Sequence, residues 1–270
     1  TASAGVPIRW LQLRIQDNSS FILPVANGGG IAPTVGGYLA AGGISPDSAR
    51  YGGFWEHVSE IKLVIENGKI LTVNQKDPLF PWLFGAQGEL GIIAQVTLKL
   101  RRDEEKPFHY PLHLTVTSPN ITSNGYTWQT NTSEPSLFWF NVFTTNNQVN
   151  LVKAQLNAWM KTYPDALRYR EPYVWRIERV SFIPPLVFNQ NTSFVAIGLW
   201  GEKGQSAKQF SALHSAFSRW VRQRHFAHYG QVESFDRLTL DAKTHQIFLR
   251  YKHQLDPAGL FNQSSLFNSK

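Results

Sequence analysis

The sequence predicts an α+β fold, on the evidence of β-rich runs that follow one another directly and two amphipathic helical stripes between further β-rich runs. Neighbouring strands favour antiparallel pairing, whereas strict alternation of strands and helices would favour a parallel sheet. The chain has 270 residues, of which 42% are hydrophobic and 17% charged. A chain of that length and composition can bury a core without disulfides or metals. We therefore expect antiparallel sheets flanked by helices.

The composition excludes several kinds of site. The absence of cysteine excludes disulfides, Cys-ligated zinc, thiol catalysis and iron–sulfur clusters. No apolar run reaches 18 residues, so we expect no membrane span. The net charge is +7, but the basic residues are dispersed beyond short groups such as Arg101-Arg102 and the 219–224 stretch. We therefore expect no nucleic-acid partner.

The first 60 residues are rich in glycine, with clusters at 28–30, 36–37, 42–43 and 52–53. Such clusters predict loops whose backbone approaches another group closely. A flexible surface loop is the alternative, although apolar residues such as Val35 and Leu39 between the clusters argue against a polar linker.

The next elements are a hairpin, a short helix and a strand. Two β-rich runs, 61–65 and 70–73, flank Asn67-Gly68, which predicts a hairpin with a type I′ turn. Asp77-Pro78 predicts the start of a short helix over 77–84. Alternation of apolar and polar residues predicts a strand over 91–100.

The charged, proline-ended run 101–107 predicts a domain boundary. Beyond it we predict strands over 110–117, 137–144, 173–183 and 192–200. Apolar residues at helical spacing predict two helices, with stripes at Val152, Leu156, Trp159 and Tyr163 and at Phe210, Leu213, Phe217 and Trp220. Stripes of this kind are typical of helices that pack on a sheet.

Three segments carry motifs in a fixed order. The first reads TVGGYLAAGGIS at 34–45, followed by RYG at 50–52 and VSEI at 58–61; the second reads LFGAQGELGII at 83–93. The third reads YK at 251–252 and LDPAGLFN at 255–262, with SFDRL before it at 234–238. Together they resemble FAD-linked oxidases of the vanillyl-alcohol-oxidase superfamily, which have a PCMH-type FAD-binding domain. Berberine-bridge-like, cytokinin-dehydrogenase-like and glycolate-oxidase-like proteins belong to it.

The resemblance implies a division of the chain. Residues 1–105 would be the second FAD-binding subdomain, 106–230 a substrate domain of antiparallel sheet and helices, and 231–270 a segment that returns to the FAD-binding domain. In the family a first subdomain precedes these motifs and grips the pyrophosphate. We therefore expect this chain to be the C-terminal part of an oxidase, with the first subdomain in cis or as a separate chain.

The resemblance also implies FAD as the cofactor. Backbone N–H groups of glycines can reach a diphosphate without obstruction by side chains. For any single glycine the alternative is a tight turn that the fold itself requires. The implied cofactor-binding residues are Thr34, Gly36, Gly37, Ala40, Gly42, Gly43, Ile44, Gly88, Ile92, Ile93 and Asn262.

Two departures from the family pattern argue against particular subfamilies. Gly29 stands where cytokinin dehydrogenases have a catalytic aspartate. The chain has no cysteine for the second flavin bond of berberine-bridge-type enzymes.

The implied reaction is hydride transfer to flavin from an alcohol, amine, sugar or hydroxy acid, with reoxidation by oxygen or another acceptor. Arg176 and Glu178 are two apart on a predicted strand and share a face, so they are candidates to bind an acid and take a proton. The general behaviour of charged strand residues favours the alternative, an ordinary solvated or cross-strand pair.

Histidines give no metal site. His225 and His228 are three apart, but no third ligand follows at metal spacing, so surface or capping roles are favoured. We expect the same of His245 and His253. Asp256-Pro257 is expected to end a helix and turn the chain.

Two alternatives to a complete oxidoreductase stay open: a binding or scaffold module that kept the fold and lost the flavin, and one subunit of a two-chain oxidase. Asn-x-Ser/Thr sequons permit secretion, although a chain rich in these residues acquires them by chance. They begin at Asn18, Asn120, Asn131, Asn191 and Asn262. We expect a secreted or periplasmic location rather than a cytoplasmic one.

Overall fold

The computed structural model describes residues 1–26, 33–102, 120–122, 125–127, 137–177, 181–182, 184–188, 194–227 and 241–262. The helices of this part of the chain are α1 (Ile8–Asn18), α2 (Val35–Ala40), α3 (Ser48–Tyr51), α4 (Val149–Thr162), α5 (Ala207–Arg224) and α6 (Ala242–Leu255). The strands are β1 (Ala2–Ser3), β2 (Phe21–Ile22), β3 (Val58–Val64), β4 (Ile70–Asn74), β5 (Ile92–Leu98), β6 (Arg101–Arg102), β7 (Asn120–Thr122), β8 (Gly125–Thr127), β9 (Leu137–Thr144), β10 (Leu167–Ile177) and β11 (Phe194–Lys203). All strand pairs within these ranges are antiparallel, so the α+β class is confirmed.

The first sheet has the strand order β1-β5-β3-β4. The predicted hairpin is present as β3 and β4, but its predicted type I′ turn is wrong. Only Gly68 has a positive φ, +78°, whereas a type I′ turn needs two such residues. The Gly68 N–H donates to the Ile65 carbonyl at 2.9 Å, and the Ile65 N–H donates to the Lys69 carbonyl at 3.0 Å. Three residues therefore form the loop, with the left-handed glycine last.

The segment after the hairpin differs from the predicted helix. It forms a short 3-10 helix over Phe80–Leu83 rather than a helix over 77–84. Asp77 closes a turn instead, because its Oδ2 accepts the Asn74 N–H at 2.6 Å and its carbonyl accepts the Phe80 N–H at 3.0 Å. The strand predicted over 91–100 is β5.

The second sheet has the order β10-β11-β9. The strand predicted over 137–144 is confirmed as β9, and that over 192–200 is β11, which runs three residues further. The strand predicted over 173–183 begins at 167, and its described part ends at 177. The predicted strand 110–117 lies outside the described residues.

Alternate residues of the central strand β11 face two separate cores. Val195, Ile197 and Leu199 pack with the buried faces of α4 and α5. Phe194 and Ala196 face the other way and join the core of residues 1–98. The ring of Phe194 stacks on Trp55, with centroids 6.4 Å apart. The second sheet therefore presents one face to its own helices and the other toward the first part of the chain.

Helices α4 and α5 bury the predicted stripes, including Val152, Leu156 and Trp159 on the first and Leu213, Phe217 and Trp220 on the second. Complete burial of such side chains contributes about 1.5–3 kcal/mol each. Helix α5 ends at His225, which takes a left-handed φ of 53°. His225 is therefore a capping residue, as expected. His228 lies outside the described residues.

Within the described ranges, none of the helices combines the length and apolar character needed to cross a bilayer.

Candidate functional site

Residues 34–40, 85–88 and 261–262 meet at one corner of the first part of the chain, which we call the glycine corner. The Gln87 N–H donates to the Ala40 carbonyl at 2.9 Å and the Gly85 N–H to the Leu39 carbonyl at 3.4 Å. The Asn262 Nδ2 donates to the Gln87 carbonyl. The three motifs recognised in the sequence are thus brought together by two backbone hydrogen bonds and one from the Asn262 side chain.

The start of α2 is fixed by a side-chain cap and by the N-terminal segment. Thr34 is the N-cap, and its Oγ1 accepts the Gly37 N–H at 3.1 Å. The N–H groups of Val35 and Gly36 donate to carbonyls of residues 6 and 4, at 2.9 and 2.8 Å. A capping side chain of this kind contributes about 1 kcal/mol. The first turn of α2 is therefore held in one orientation.

Some of the predicted cofactor residues are buried for reasons of packing. A Cβ built at Gly36 would lie 2.7 Å from the Ala4 Cβ, and one at Gly43 would lie 2.4 Å from the Phe54 Cβ. Gly43 also has φ +61°, and Gly42 has φ +107°. Ile44 is a core residue. The fold itself accounts for a small or left-handed residue at these glycines.

The other predicted cofactor residues reach the surface. Gly37 is exposed, and a Cβ there would meet only Thr34 Oγ1 within 4 Å. Gly88 is half-buried with φ +78°, where a Cβ would lie 3.0 Å from the Asn262 Nδ2. Residues Thr34, Ala40 and Ile93 are half-buried, whereas Ile92 and Asn262 are exposed.

Two residues of the corner that are joined by a hydrogen bond both have left-handed backbone conformations. Gln87 and Asn262 have φ values of 52° and 36°, in the left-handed region that residues with a Cβ rarely adopt. At Gln87 this conformation costs about 1–3 kcal/mol and persists where surrounding contacts impose it, whereas asparagine adopts it more readily. The bond from Asn262 to the Gln87 carbonyl joins the two left-handed positions directly.

Lys252 supports this corner from α6. Its Nζ donates to the Glu89 carbonyl at 2.7 Å, to Asp256 Oδ2 at 2.6 Å and to the Phe261 carbonyl at 2.7 Å. Asp256 in turn accepts the N–H groups of Leu260 and Phe261 at 2.7 and 2.9 Å. As expected from the sequence, Asp256 ends a helix and turns the chain.

The Asp256 carboxyl is ionised in this setting. Burial opposes its ionisation, since only 2% of the residue is exposed. The hydrogen bond from Lys252 and those from the Phe261 and Leu260 N–H groups outweigh that effect and hold its pKa below the ordinary value. The ion pair is therefore intact at neutral pH.

His57 ends the short 3-10 helix that precedes β3 and is 6% exposed. Its Nε2–H donates to the Tyr51 carbonyl at 3.1 Å. Burial lowers the pKa of His57 to about 4, against the Tyr51 bond, with Arg101 and Lys99 acting in the same direction as burial. The imidazole is therefore neutral and structural at physiological pH.

The corner fits FAD in its shape, although the N–H groups of Val35, Gly36 and Gly37 already have acceptors within the chain. Gly37 and Gly88 offer backbone that no Cβ covers, as a diphosphate or a flat ring requires. Ser45 Oγ, which belongs to the first motif but lies outside the corner, is buried without a hydrogen-bond partner among the described residues. A buried hydroxyl left unpaired costs about 1–3 kcal/mol, so a water or a ligand group is expected to complete it.

The second sheet carries a polar pair that the sequence analysis missed. The Asn141 Nδ2 donates to the Tyr173 hydroxyl at 2.6 Å, and Asn141 is only 3% exposed. Gly198 lies between them in the register, and a Cβ there would come within 2.8 Å of that hydroxyl. The Tyr173 ring stacks on Trp175, with centroids 4.1 Å apart. An Asn and a Gly that interrupt apolar strands, β9 and β11, were the available signal.

Arg176 does not share a face with this pair. It lies between Trp175 and Ile177, so its side chain points to the same face as Val174, which packs with the helices α4 and α5. Arg176 is exposed, and its Nε donates to Asn146 Oδ1 at 3.1 Å. This geometry favours the alternative of an ordinary surface residue. Glu178 lies outside the described residues.

The part of the chain that the structure describes contains no group of three or more metal-ligating side chains.

Comparison with known proteins agrees with the motifs. Residues 1–74 match a family described as an FAD binding domain. An uncharacterized FAD-linked oxidoreductase of Arthroderma benhamiae is 36% identical over 130 residues, which are 44% of this chain and 22% of that protein. This chain therefore spans about a fifth of the length of the relative that it matches. Residues 1–74 thus match an FAD-binding domain, and the relative is named as FAD-linked; both findings support the resemblance to FAD-binding oxidases and indicate FAD as the cofactor.

Proposed function

We propose that this chain is part of an FAD-dependent oxidoreductase whose substrate is an alcohol, amine, sugar or hydroxy acid. The observation that carries the proposal is the glycine corner, where three segments meet and two of them leave glycine backbone open to a ligand, at Gly37 and Gly88. That arrangement occurs in a chain whose residues 1–74 match an FAD binding domain.

The residues that would hold FAD are the accessible members of the corner. Gly37 and Gly88 would let its flat or phosphate groups approach the backbone, and Asn262 would contact it through its exposed amide. The buried residues Gly36, Gly43 and Ile44 would act only by shaping the loop. FAD, when bound, supplies the acceptor for a hydride, and oxygen or another acceptor reoxidises it.

The substrate would lie against the Tyr173 and Trp175 side of the second sheet. This face is the one that turns toward the first part of the chain, because Tyr173 and Trp175 pack against its core. Asn141 fixes the position of the Tyr173 hydroxyl, which is a hydrogen-bonding group for a substrate hydroxyl or amine. Gly198 keeps the space that this contact needs. We propose this pair in preference to Arg176.

The first FAD subdomain of the family would complete the site, in cis or as a separate chain. The two-chain arrangement predicts that a flavin-bearing partner co-purifies. The scaffold alternative predicts a colourless protein.

The test is an absorbance scan of the full-length gene product across the flavin bands, before and after acid precipitation. We expect flavin bands, which candidate alcohols, amines, sugars or hydroxy acids bleach when oxygen is excluded. Colour that stays with the precipitate would show a covalent bond. A colourless protein that takes up no added FAD would contradict the proposal.

The Tyr173 proposal has its own test. Tyr173→Phe removes the hydroxyl and keeps the ring, so we expect a lower kcat/KM with an unchanged flavin spectrum. Tyr169→Phe changes a tyrosine of the same strand and serves as the control. Equal kinetics for Tyr173→Phe and the wild type would contradict the role of the hydroxyl.

A further inference from the structure

Lys252 joins three segments through one ammonium group. Its acceptors are the Glu89 carbonyl in the loop after residue 85, the Asp256 carboxylate at the end of its own helix, and the Phe261 carbonyl. A lysine ammonium has three donors, and here each has an acceptor within 2.7 Å. Lys252 therefore ties the loop to the C-terminal segment.

The segment held in this way is itself a closed turn. Asp256 accepts the N–H groups of Leu260 and Phe261, so residues 256–261 fold back around its carboxylate. The next residue is Asn262, whose amide donates to the Gln87 carbonyl. Lys252 therefore contacts the turn at both of its ends, at the Asp256 carboxylate and at the Phe261 carbonyl next to Asn262.

The loop on the other side is the one that carries Gln87 and Gly88. Glu89 is buried, and its carbonyl is the point at which Lys252 holds that loop. Gln87 is left-handed, a conformation that persists where surrounding contacts impose it, and Asn262 is left-handed beside it. Lys252 binds a carbonyl near each of them, that of Glu89 two residues after Gln87 and that of Phe261 immediately before Asn262.

We propose that Lys252 and Asp256 form a latch that docks residues 256–262 on the loop 85–91 and so sets the conformation that receives FAD. Lys252 is then a positioning residue for the cofactor, and the inference rests on the function proposed above. Because coupling between two sites is reciprocal, bound FAD stabilises the closed latch as much as the latch favours FAD.

A pair that serves only folding would behave differently. Loss of such a pair would lower the unfolding temperature. A variant that is still folded at the assay temperature would nevertheless bind FAD as tightly as the wild type. The latch predicts instead that FAD affinity falls in variants that remain folded.

The test uses the full-length gene product and the double variant Lys252→Met with Asp256→Asn. The double change avoids a buried unpaired charge, and the asparagine oxygen can still accept N–H groups of the turn. Lys243→Met, an exposed lysine at the start of the same helix, is the matched control. Lys252→Arg keeps the charge and tests for rescue.

FAD affinity is measured by titration of flavin fluorescence well below the unfolding temperature of each variant. We expect the double variant to bind FAD at least tenfold more weakly, Lys243→Met to match the wild type, and Lys252→Arg to lie between them. Unchanged affinity in a folded double variant would overturn the proposal.

Hydrogen exchange gives a second readout that needs no cofactor. The latch predicts faster exchange of the Leu260 and Phe261 amides and of the 85–91 loop in the double variant, with the α5 amides unchanged. Unchanged exchange in both segments would also overturn it. If the wild type binds no FAD, the proposed function fails, and exchange alone decides whether the latch exists.

Discussion

Gly36 and Gly37 are neighbours in one helix and in one motif, yet the structure uses them in opposite ways. Gly36 is buried against Ala4, where a Cβ would be 2.7 Å from the Ala4 Cβ. Gly37 is exposed, and its Cβ would meet only the Thr34 hydroxyl. The same division extends to Gly43, packed on Phe54, and Gly88, at the surface of the corner. A glycine motif therefore mixes positions that the core requires with positions that a ligand can reach.

The division predicts two classes of variant. Substitutions at the buried glycines alter the free energy of unfolding. Substitutions at the glycines that a ligand can reach alter cofactor binding in a protein that remains stable.

The largest effect is expected at Gly43. Gly43→Ala must keep φ +61° and place a methyl group 2.4 Å from the Phe54 Cβ. A left-handed residue with a Cβ and an overpacked core together cost about 3–5 kcal/mol. Gly68→Ala is the control, since Gly68 has φ +78° but no atom within 4 Å of a Cβ, and should cost only about 1–2 kcal/mol. Urea unfolding measures both, and equal losses would contradict the packing argument.

The buried His57 makes the free energy of unfolding depend on pH, by up to about 3 kcal/mol. Its pKa is about 4 in the folded chain against 6.5 when exposed. The unfolded chain therefore binds the proton first as the pH falls, and the folded state loses stability between about pH 6.5 and 4. We expect the unfolding free energy to decrease from pH 7 to 4.5, and to decrease less in His57→Gln. Parallel pH profiles for both proteins would show that His57 is not the cause.

Gly36→Ala should cost about 1–3 kcal/mol through its contact with Ala4, partly offset by the better helix propensity of alanine. The group that would clash with the new methyl group is the Ala4 side chain. Removing that side chain with Ala4→Gly should therefore restore most of the lost unfolding free energy. A double-mutant cycle on unfolding free energies measures this coupling. Purely additive losses would mean that Ala4 is not what excludes a side chain at position 36.

The sequence predicted the parts of the fold that depend on local pattern. The stripes of α4 and α5, the strand β9 and the hairpin of β3 and β4 followed from spacing and turn residues. Helix α1 (Ile8–Asn18) was not anticipated, because the glycine clusters that follow it dominated the composition of that region. The hairpin turn was predicted as the wrong type, since Asn67-Gly68 fits a three-residue loop as well as a two-residue one.

The sequence predicted which residues belong to the candidate site, but not which of them are buried in the core and which are accessible to a ligand. That division depends on Ala4 and Phe54, which lie outside the glycine motif. The link from Lys252 to the Glu89 carbonyl joins positions 163 apart in sequence, and no local pattern contains it. Asn262 illustrates the same limit: it heads a sequon, but its amide nitrogen is engaged with the Gln87 carbonyl.

The most direct test of the account is the FAD affinity of Gly37→Ala beside that of the wild type. Alanine at this exposed helical position gains about 1 kcal/mol of helix propensity, which offsets the small shift required of the Thr34 hydroxyl, 3.1 Å from the added Cβ; urea unfolding checks that the variant is as stable as the wild type. The account predicts that the added methyl group, lying where the cofactor approaches the backbone, weakens FAD binding at least tenfold in this fully folded protein. Wild-type FAD affinity in Gly37→Ala would contradict the placement of FAD at the glycine corner.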